Sequence, residues 1–362
     1  MNKKVLILSN HFVTIHKFRQ ELVMNLVERG HDVVVSLPYS NETERIEDLG
    51  VRTINTYVDR KSINPIKDIK LFIEYINLIR LEKPDIVVSY TIKPNAYGGI
   101  ASKLCKCEFI ANVTGLGSAY YKGGFVKKIV SALYKMGFKS AKSVIFENEG
   151  NAQVLIDDKT IKQDQAVVMN GAGVNLDKFS FCPMPSGNVI RFLFVGRIMA
   201  EKGIEELFEV IKRIRSEYNN VEFSFIGWFE DDYSEIIKEF EEKNFIKYYG
   251  YQDDVIPFIR NSHCIVLPSY HEGMANVLLE GAAMGRALIA SDIPGCREAI
   301  VEGKNGWTCK VKYVDDLYGK IKRFIDLSYN EKVKMGKFGR CHMEEIFDKK
   351  KVVKLTVEEI ER

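Results

Sequence analysis

Residues 264–285 read CIVLPSYHEGMANVLLEGAAMG, and this stretch decides the fold that the sequence predicts. It begins with a short apolar run, Cys264–Leu267, which is typical of a buried strand. Residues 277–284 have the pattern of a helix that stops at the following glycine. Glu272 lies in the loop between them, and Glu280 follows about two turns along the helix, at 3.6 residues per turn. The stretch therefore predicts a strand, a loop and a helix in that order.

The predicted loop has the features of an anion site. Its backbone N–H groups meet at the start of a helix, which is a ready place for a phosphate. Glu272 before that place and Glu280 behind it suggest a ligand with a phosphate in its middle and hydroxyl groups at both ends, as in a nucleotide-sugar. The alternative that this stretch leaves open is a surface Glu beside a turn and a second Glu on the wet face of a helix.

The length and composition limit which classes of protein the sequence can encode. The 362 residues suffice for two ordinary α/β domains, and 46% hydrophobic with 28% charged residues is normal for a soluble globular protein. A net charge of +3 is too small to argue for nucleic acid. Residues 5–8, the first apolar run, are too short for a secretory signal or a membrane span, and the seven scattered Cys form no zinc or redox pattern. We therefore expect a cytoplasmic protein with reduced thiols.

Short β-rich runs alternate with helical stretches along the whole chain, which indicates βαβ units and parallel sheets. The predicted strands are residues 5–8, 33–36, 51–56, 86–89, 109–112 and 143–146, then 192–195, 222–226, 246–249, 264–267 and 287–290. Residues 181–188 separate the two sets and contain two Pro and one Gly without periodicity, as in a linker. We predict two doubly wound, Rossmann-like domains, residues 1–182 and 188–345, facing each other across a cleft where ligands meet the carboxyl ends of strands.

Two cations follow the first strand of the second predicted domain. Residues 192–203 read FLFVGRIMAEKG, a strand and a turn before a helix. Arg197 offers a planar fork and Lys202 a compact point charge, so both can hold a diphosphate. Two cations can replace a metal in neutralising a leaving group, and no acidic pair stands out as a metal site, so we expect no metal or other cofactor. The alternative is two exposed basic residues.

These motifs resemble those of the retaining glycosyltransferases of family 4, which have the two-domain GT-B fold. Glu272 and Glu280 match the E-x7-E motif, and residues 196–203 match a G-R-x4-K-G element. Residues 291–298 resemble an S-D-x-x-G-x-x-E turn of the same family. The resemblance runs over nearly the whole chain. It implies an acceptor-binding first domain, a nucleotide-sugar-binding second domain, and a last helix, residues 346–362, that packs back on the first domain.

The resemblance also implies roles for single residues. Glu280 binds the ribose hydroxyls, Arg197 and Lys202 hold the diphosphate, and Glu272 lies against the sugar ring; Arg197, Lys202 and Glu272 are the predicted catalytic residues. The predicted nucleotide-sugar site comprises Gly196, Arg197, Lys202, Gly227, Tyr251, Glu272, Gly273, Met274, Ala275, Asn276, Val277 and Glu280, and Gly273 to Asn276 are expected to contact the diphosphate and the sugar through their backbone. Ala275 stands where the family often has Pro or Ser, and the first domain's fourth strand loop has no His, so no catalytic base is identified.

The strand ends of the first predicted domain supply the acceptor side. No GxGxxG follows the first strand, which argues against NAD. Paired glycines after the fifth strand let the backbone approach a ligand closely, although such a pair is also an ordinary turn. The loops resemble those of a subgroup that builds capsule, O-antigen and lipid-linked bacterial glycans. The predicted acceptor-binding residues are His16, Arg19, Lys93, Asn95, Gly115 and Gly117.

A lysine-rich stretch, residues 121–142, has no acidic residue and interleaves basic with apolar side chains. A basic amphipathic helix of this kind can lie on an anionic membrane surface. The alternative is a helix with its apolar face in the core and its lysines in water. The lysines concerned are Lys122, Lys127, Lys128, Lys135, Lys139 and Lys142.

Together these features predict a retaining glycosyltransferase. We expect it to move a hexose or N-acetylhexosamine from a UDP-sugar to a lipid-diphosphate-linked or oligosaccharide acceptor during surface polysaccharide or glycan assembly. Two alternatives stay open: a GT-B UDP-sugar epimerase or hydrolase, and an inactive nucleotide-sugar-binding subunit. An NAD oxidoreductase is the weakest reading. The expected location is the cytoplasm, with peripheral contact to the inner face of the cytoplasmic membrane left open.

Overall fold

A computed structural model describes residues 2–59, 64–117, 120 and 124–362, without the side chain of Phe125. The chain divides into two compact units. The first unit comprises Met1–Ala172 and Lys350–Arg362, and the second comprises Gly173–Lys349. The second unit thus begins upstream of the Pro-containing segment 181–188.

The first unit has, within the described residues, a parallel sheet of seven strands in the order β3-β2-β1-β4-β5-β6-β7. The strands are β1 Lys4–Leu8, β2 Asp32–Leu37, β3 Arg52–Asn55, β4 Ile86–Tyr90, β5 Glu108–Val113, β6 Ser143–Phe146 and β7 Ala166–Val168. The helices are α1 Phe12–His16, α2 Gln20–Glu28, α3 Glu44–Glu47, α4 Pro65–Glu82, α5 Gly99–Cys105, α6 Gly124–Phe138 and α7 Glu149–Asp157. A π-helix, Pro94–Gly98, precedes α5.

Helices cover both faces of this sheet, which explains why its strands read as continuous apolar runs. Alternate residues of a strand point to opposite faces. Leu6 and Leu8 therefore join one apolar cluster with α4, α5 and α6, whereas Val5 and Ile7 join another with α1 and α2.

The second unit has a six-stranded parallel sheet in the order β10-β9-β8-β11-β12-β13. Its strands are β8 Ile190–Val195, β9 Val221–Ile226, β10 Lys247–Tyr248, β11 Cys264–Leu267, β12 Ala287–Ser291 and β13 Gly306–Cys309. Its helices are α8 Ile204–Glu217, α9 Ser234–Glu242, α10 Ile256–Asn261, α11 Asn276–Ala283, α12 Val314–Asp326 and α13 Tyr329–Ile346.

The last helix, α14 Lys349–Glu361, lies almost wholly in the part of the chain that returns to the first unit. Val352, Val357 and Ile360 pack in the same apolar cluster as β1 and β2. At its end, Glu361 lies 3.2 Å from Arg29 and 3.2 Å from His31. Burial of one apolar face and these terminal contacts hold α14 in the first unit.

Both sheets reverse their strand order at one point. β1 lies between β2 and β4, and β8 lies between β9 and β11. Ligands of doubly wound sheets bind outside the carboxyl ends of strands at such a switch point. The prediction of an α/β chain with two Rossmann-like domains is confirmed. β7 was not predicted, because its three residues are half exposed and too few to show a pattern.

Candidate functional site

The switch point of the second unit brings together the loops after β8 and β11. A tight turn, Ala200–Lys202, ends at Gly203, whose φ of +70° is the left-handed conformation that glycine adopts readily. A Cβ at Gly203 would collide with the carbonyl of Pro268, which begins the loop after β11. Glycine at position 203 therefore allows the two loops to touch.

This contact places Lys202 against Glu272. The Lys202 Nζ atom lies 2.5 Å from Glu272 Oε1, and the two side chains are only 16% and 13% exposed. An ion pair this sheltered is screened less by water and salt than a surface pair. The structure thus joins two residues that lie 70 positions apart in the sequence.

A second pair lies beside the first. The Glu201 backbone carbonyl accepts a hydrogen bond of 2.9 Å from the Tyr270 N–H, and His271 Nε2 lies 3.3 Å from Glu201 Oε2. Burial lowers the pKa of His271, and the positive charges of Lys202 and Arg197 lower it further, against the opposing effect of Glu201 and Glu272. The net lowering of its pKa favours the uncharged form of His271. Sequence reasoning did not select it.

Arg197 lies on the side of this group that faces β9. Its guanidinium is 3.5 Å from Glu230 and its side chain is 41% exposed. Glu230 also accepts a 3.4 Å hydrogen bond from the Trp228 indole. The rings of Trp228 and Tyr251 are 5.5 Å apart, and both residues are nearly half exposed. An exposed aromatic pair therefore stands next to the arginine, suited to stacking on a flat ligand.

Gly196 and Gly227 form the floor between these side chains. Gly196 N–H donates to the Ile226 carbonyl at 2.9 Å. A Cβ on Gly227 would collide with the Gly196 carbonyl. The ends of strands β8 and β9 are therefore in backbone contact, and the nucleotide-binding roles of Gly196 and Gly227 stay predictions.

The loop that leads into α11 ends in two buried residues. Met274 and Ala275 are 5% and 4% exposed and belong to the apolar core of the second unit. The Ala275 N–H donates to the Gly295 carbonyl at 2.8 Å, which fixes the loop on the turn 291–298. Among the described residues, no side chain caps the N-terminus of α11, whose first-turn N–H groups carry partial positive charge.

Glu280 lies on α11, four residues after Asn276, so the two side chains share one face of the helix. Both are half-buried, as are Val277 and Gly273. The cluster that the structure brings together thus consists of Arg197, Glu201, Lys202, His271 and Glu272, with Glu280 on the next helix.

The switch point of the first unit holds Arg19. Its guanidinium lies 2.6 Å from Glu147 and 5.2 Å from the Tyr90 ring centre, and both charged side chains are about 10% exposed. Burial lowers the pKa of Arg19, but the pairing with Glu147 and Tyr90 outweighs it, so the pKa lies above the ordinary value. Glu147, at the end of β6, was not predicted.

A small opening of about 20 Å³ adjoins this pair within the first unit. Its lining residues include Arg19, Glu147, Asn112 from β5 and Thr356 from α14. Polar side chains from four places along the chain therefore meet apolar ones at this opening.

The other predicted acceptor residues lie along the same edge of the sheet. Lys93 Nζ is 2.7 Å from Asp68 on α4. Asn95 is fully buried, accepts from Ser89 at 2.6 Å and donates to the Asn112 carbonyl at 2.8 Å, which joins β4 to β5.

His16, Gly115 and Gly117 complete the predicted acceptor set. The His16 ring stacks on Phe12 with the ring centres 4.8 Å apart. Gly115 and Gly117 have φ values of +136° and +79°, and a Cβ on Gly117 would press on Ile92. The acceptor roles of all six residues stay predictions.

Metal-ligand clusters and membrane-spanning helices are both absent from the described part of the chain. Across residues 2–59, 64–117, 120 and 124–362, no group of three or more His, Cys, Asp or Glu side chains could hold a metal ion. Over the same residues, no helix is both long and apolar enough to cross a bilayer. The expectation of a metal-independent reaction stays a prediction.

Comparison with known proteins identifies the family. Residues 185–342 match the family model described as glycosyl transferases group 1, and residues 4–148 match the model described as glycosyl transferase 4-like. The chain is 30% identical over 336 residues to an N,N'-diacetylbacillosaminyl-diphospho-undecaprenol alpha-1,3-N-acetylgalactosaminyltransferase of Campylobacter jejuni, covering 88% of each chain. It is 24% identical over 291 residues to a UDP-Gal:alpha-D-GlcNAc-diphosphoundecaprenol alpha-1,3-galactosyltransferase of Escherichia coli, covering 74% of this chain and 73% of the relative.

Solved structures agree on the fold. The structure of Anabaena HepE in complex with UDP and glucose superposes with a TM-score of 0.82 at 14% identity, over 99% of this chain and 100% of HepE. TarM superposes with a TM-score of 0.78 at 12% identity, over 99% of each chain. Identities this low show only a shared fold, whereas the long match to the Campylobacter jejuni enzyme shows the family. The chain belongs to the group 1, family 4 glycosyltransferases of GT-B fold, and it is a glycosyltransferase.

Proposed function

We propose that this glycosyltransferase moves a hexose or N-acetylhexosamine from a UDP-sugar to a sugar carried on a lipid diphosphate, with retention of configuration at the anomeric carbon. The observation that carries the proposal is the sheltered Lys202–Glu272 pair beside Arg197, at the N-terminus of α11. The cations and the helix N–H groups can bind the diphosphate, and the carboxylates can accept hydrogen bonds from the hydroxyl groups on either side of it.

The donor is proposed to lie along the loops after β8, β9 and β11. Arg197 and Lys202 bind the diphosphate, and the Trp228 and Tyr251 rings offer a stacking surface for the uracil. Glu280 accepts hydrogen bonds from the ribose. In support, one structural neighbour, HepE, was solved with UDP and glucose, and the Escherichia coli relative is named for UDP-Gal.

The chemistry follows from what Glu272 can do. A double displacement needs a carboxylate nucleophile close beneath the sugar ring. Glu272 is already engaged by Lys202 at 2.5 Å, which suits a residue that positions sugar hydroxyls better than one that attacks carbon. We therefore propose that the leaving phosphate takes the proton of the incoming hydroxyl on the same face. Arg197, Lys202 and the α11 N–H groups then stabilise the charge that develops on the phosphate.

The acceptor side rests on the first unit. Both relatives are named for a sugar on diphospho-undecaprenol and for an alpha-1,3 linkage. An acceptor of this kind carries its own diphosphate, for which Arg19 and Lys93 are the proposed cations. The Arg19–Glu147 pair and the adjoining opening offer polar partners for the sugar.

Peripheral membrane contact through the lysine-rich stretch is part of the proposal. Lys127 pairs with Asp158 at 3.1 Å and Lys142 pairs with Glu108 at 3.2 Å, so both lysines form ion pairs within the first unit. Lys128, Lys135 and Lys139 are exposed and are the proposed contacts with anionic lipid. Lys122 lies outside the described residues.

The test offers the purified protein a panel of UDP-sugars, with and without a lipid-diphosphate sugar acceptor, and detects UDP and product by mass. The proposal expects UDP and a product heavier by one sugar residue only when the acceptor is present. UDP formed at the same rate without acceptor would indicate a hydrolase, and a rearranged UDP-sugar would indicate an epimerase. A protein that binds UDP but yields no product in any combination would indicate an inactive binding subunit.

A further inference from the structure

The outward faces of α4, α5 and α6 carry several large, exposed apolar side chains. Ile66, Ile69 and Ile73 on α4 are 79%, 58% and 50% exposed. Their spacing of three and four residues puts them on one stripe of the helix. Leu104 on α5 and Met136 on α6 are 59% and 51% exposed. We call the exposed residues of these three helices the α4–α6 face.

The three helices form one layer. α4 and α5 are in contact, as are α5 and α6, and all three pack on the same side of the first sheet. Their inward residues, such as Leu71, Ala101 and Tyr134, share a single apolar cluster. The exposed apolar residues are therefore additional to those that hold the layer on the sheet.

The exposed charged side chains of the α4–α6 face are all positive. Among the described residues of these helices, no Asp or Glu is exposed. Asp68 is half-buried against Lys93, Glu74 is half-buried, and Glu82 is buried against Arg52. The exposed charged residues of the face are Lys67, Lys70, Arg80, Lys103, Lys128 and Lys135. Of these, Lys67 pairs with Asp59 at 2.8 Å, in the loop before α4.

The apolar stripe begins beside the predicted acceptor loop. Asp68, between Ile66 and Ile69, forms the 2.7 Å pair with Lys93 in the loop after β4. The first turn of α4 is thus fixed to the carboxyl edge of the sheet, where this unit's candidate acceptor residues lie. A surface that touched lipid along the stripe would hold that edge near the lipid headgroups.

We propose that the α4–α6 face docks on an anionic phospholipid bilayer, with Ile66, Ile69 and Ile73 entering the interface and the surrounding cations contacting lipid phosphates. Moving isoleucine side chains out of water is energetically favourable, and long basic side chains can extend to the lipid headgroups. A second copy of the chain is a poorer occupant, because two such faces would bring like charges together. The inference extends the membrane contact proposed for α6 to a different helix, and it rests on the proposed function for the lipid nature of the acceptor.

The test is sedimentation with vesicles of phosphatidylcholine alone or mixed with phosphatidylglycerol. The variant Ile66→Ser/Ile69→Ser/Ile73→Ser should bind the mixed vesicles about tenfold or more weakly than the wild type. Ile236→Ser is the matched control: Ile236 is an exposed isoleucine of α9 with exposed Glu235 and Glu239 as neighbours. The control should bind like the wild type, and circular dichroism checks that both variants are folded.

The outcomes separate this inference from the proposed function. Wild-type binding of the triple variant to mixed vesicles would overturn the inference, even if transfer activity is found. A triple variant that changes only from dimer to monomer, with vesicle binding intact, would also overturn it in favour of a second copy. With the inference correct, the triple variant transfers to a water-soluble, short-chain acceptor at the wild-type rate but loses rate on a vesicle-embedded acceptor. If the wild-type protein transfers sugar to neither acceptor while the triple variant loses vesicle binding, the proposed function is rejected and the inference stands.

Discussion

Lys202 and Arg197 are the residues on which the proposed chemistry depends most. Because both are proposed to stabilise charge on the leaving phosphate, Lys202→Ala and Arg197→Ala should each lower kcat about 100-fold or more. The exposed Lys238 on α9 offers a matched control, since Lys238→Ala removes a charge of the same unit far from these loops in sequence. Initial rates of UDP release measure the effect, with thermal unfolding to show that each variant is folded. Wild-type kcat in both variants would reject the roles proposed for these cations.

Glu280 has a different expected signature, because a ribose contact is made in both the ground state and the transition state. Glu280→Ala should raise the KM for the donor about tenfold, with a much smaller effect on kcat. The exposed Glu242→Ala serves as the control. A donor KM that stays the same in Glu280→Ala would contradict the ribose role, whatever happens to kcat.

Single residues also mark the limit of prediction from sequence. Arg197, Lys202, Glu272 and Glu280 could be selected because they match motifs at strand ends. His271 lies in the same loop as Glu272 but outside those motifs, and its contact with Glu201 is not visible in the sequence. Such pairs exist only after the sheet has brought the two strand ends side by side.

Among the elements, the turn Ala200–Lys202 and its glycine show how a backbone contact builds the site. Gly203→Ala should destabilise the protein by more than about 2 kcal/mol, because it adds a collision with Pro268 to the strain of a left-handed alanine. Gly250 has a similar φ of +66°, and beyond its chain neighbours no atom lies within 4 Å of the position that a Cβ would take. Gly250→Ala should therefore lose only the stability that a left-handed alanine costs, about 1 kcal/mol. Urea denaturation of the two variants measures the difference, and equal losses of stability would show that the contact with Pro268 is not tight.

β11 begins next to a histidine that makes the second unit sensitive to acid. His263 accepts a 3.1 Å hydrogen bond from the Arg191 N–H, and its other ring nitrogen lies 3.1 Å from the Pro185 carbonyl. Burial lowers the pKa of His263 to about 4, against about 6.5 in an unfolded chain. Below pH 6.5 the unfolded state binds more protons, so this stabilising contribution is lost as the pH falls towards 4.

The loss should amount to roughly 2–3 kcal/mol over that interval, and His263→Gln should flatten the pH dependence while lowering stability at pH 7. Trp228 and Trp307 both lie in the second unit, so tryptophan fluorescence in urea follows its unfolding. Parallel stability curves for the wild type and the variant between pH 6.5 and 4 would contradict the assignment.

At the scale of the whole molecule, the sequence pattern was enough to predict the fold, but it predicted the site only in part. Buried parallel strands read as apolar runs, and the glycines that follow them mark tight turns, so two Rossmann-like domains could be predicted. What the pattern could not give is the direction of loop side chains. The side chains of Met274, Ala275 and Asn95 lie in the interior, which leaves Met274 and Ala275 the backbone contacts predicted for them. A short loop segment has no periodicity from which burial could be read.

The α4–α6 face escaped sequence analysis for a related reason. Helix α4 buries Leu71, Tyr75, Leu78 and Ile79, and its exposed isoleucines read as further core positions until the structure shows them in solvent. The acid-free run of α6 was evident at once, because charge can be read without knowing the fold. Both features now belong to one layer of the first unit.

The central claim is transfer with retention from a UDP-sugar to a lipid-diphosphate sugar, and one measurement tests it most directly. The donor sugar is labelled with carbon-13 at its anomeric position, the reaction is run with the lipid-linked acceptor, and the anomeric signals of donor and product are compared by NMR. We expect the label in the product with the configuration that it had in the donor. A product of inverted configuration, or label that appears only as free sugar, would contradict the proposed reaction.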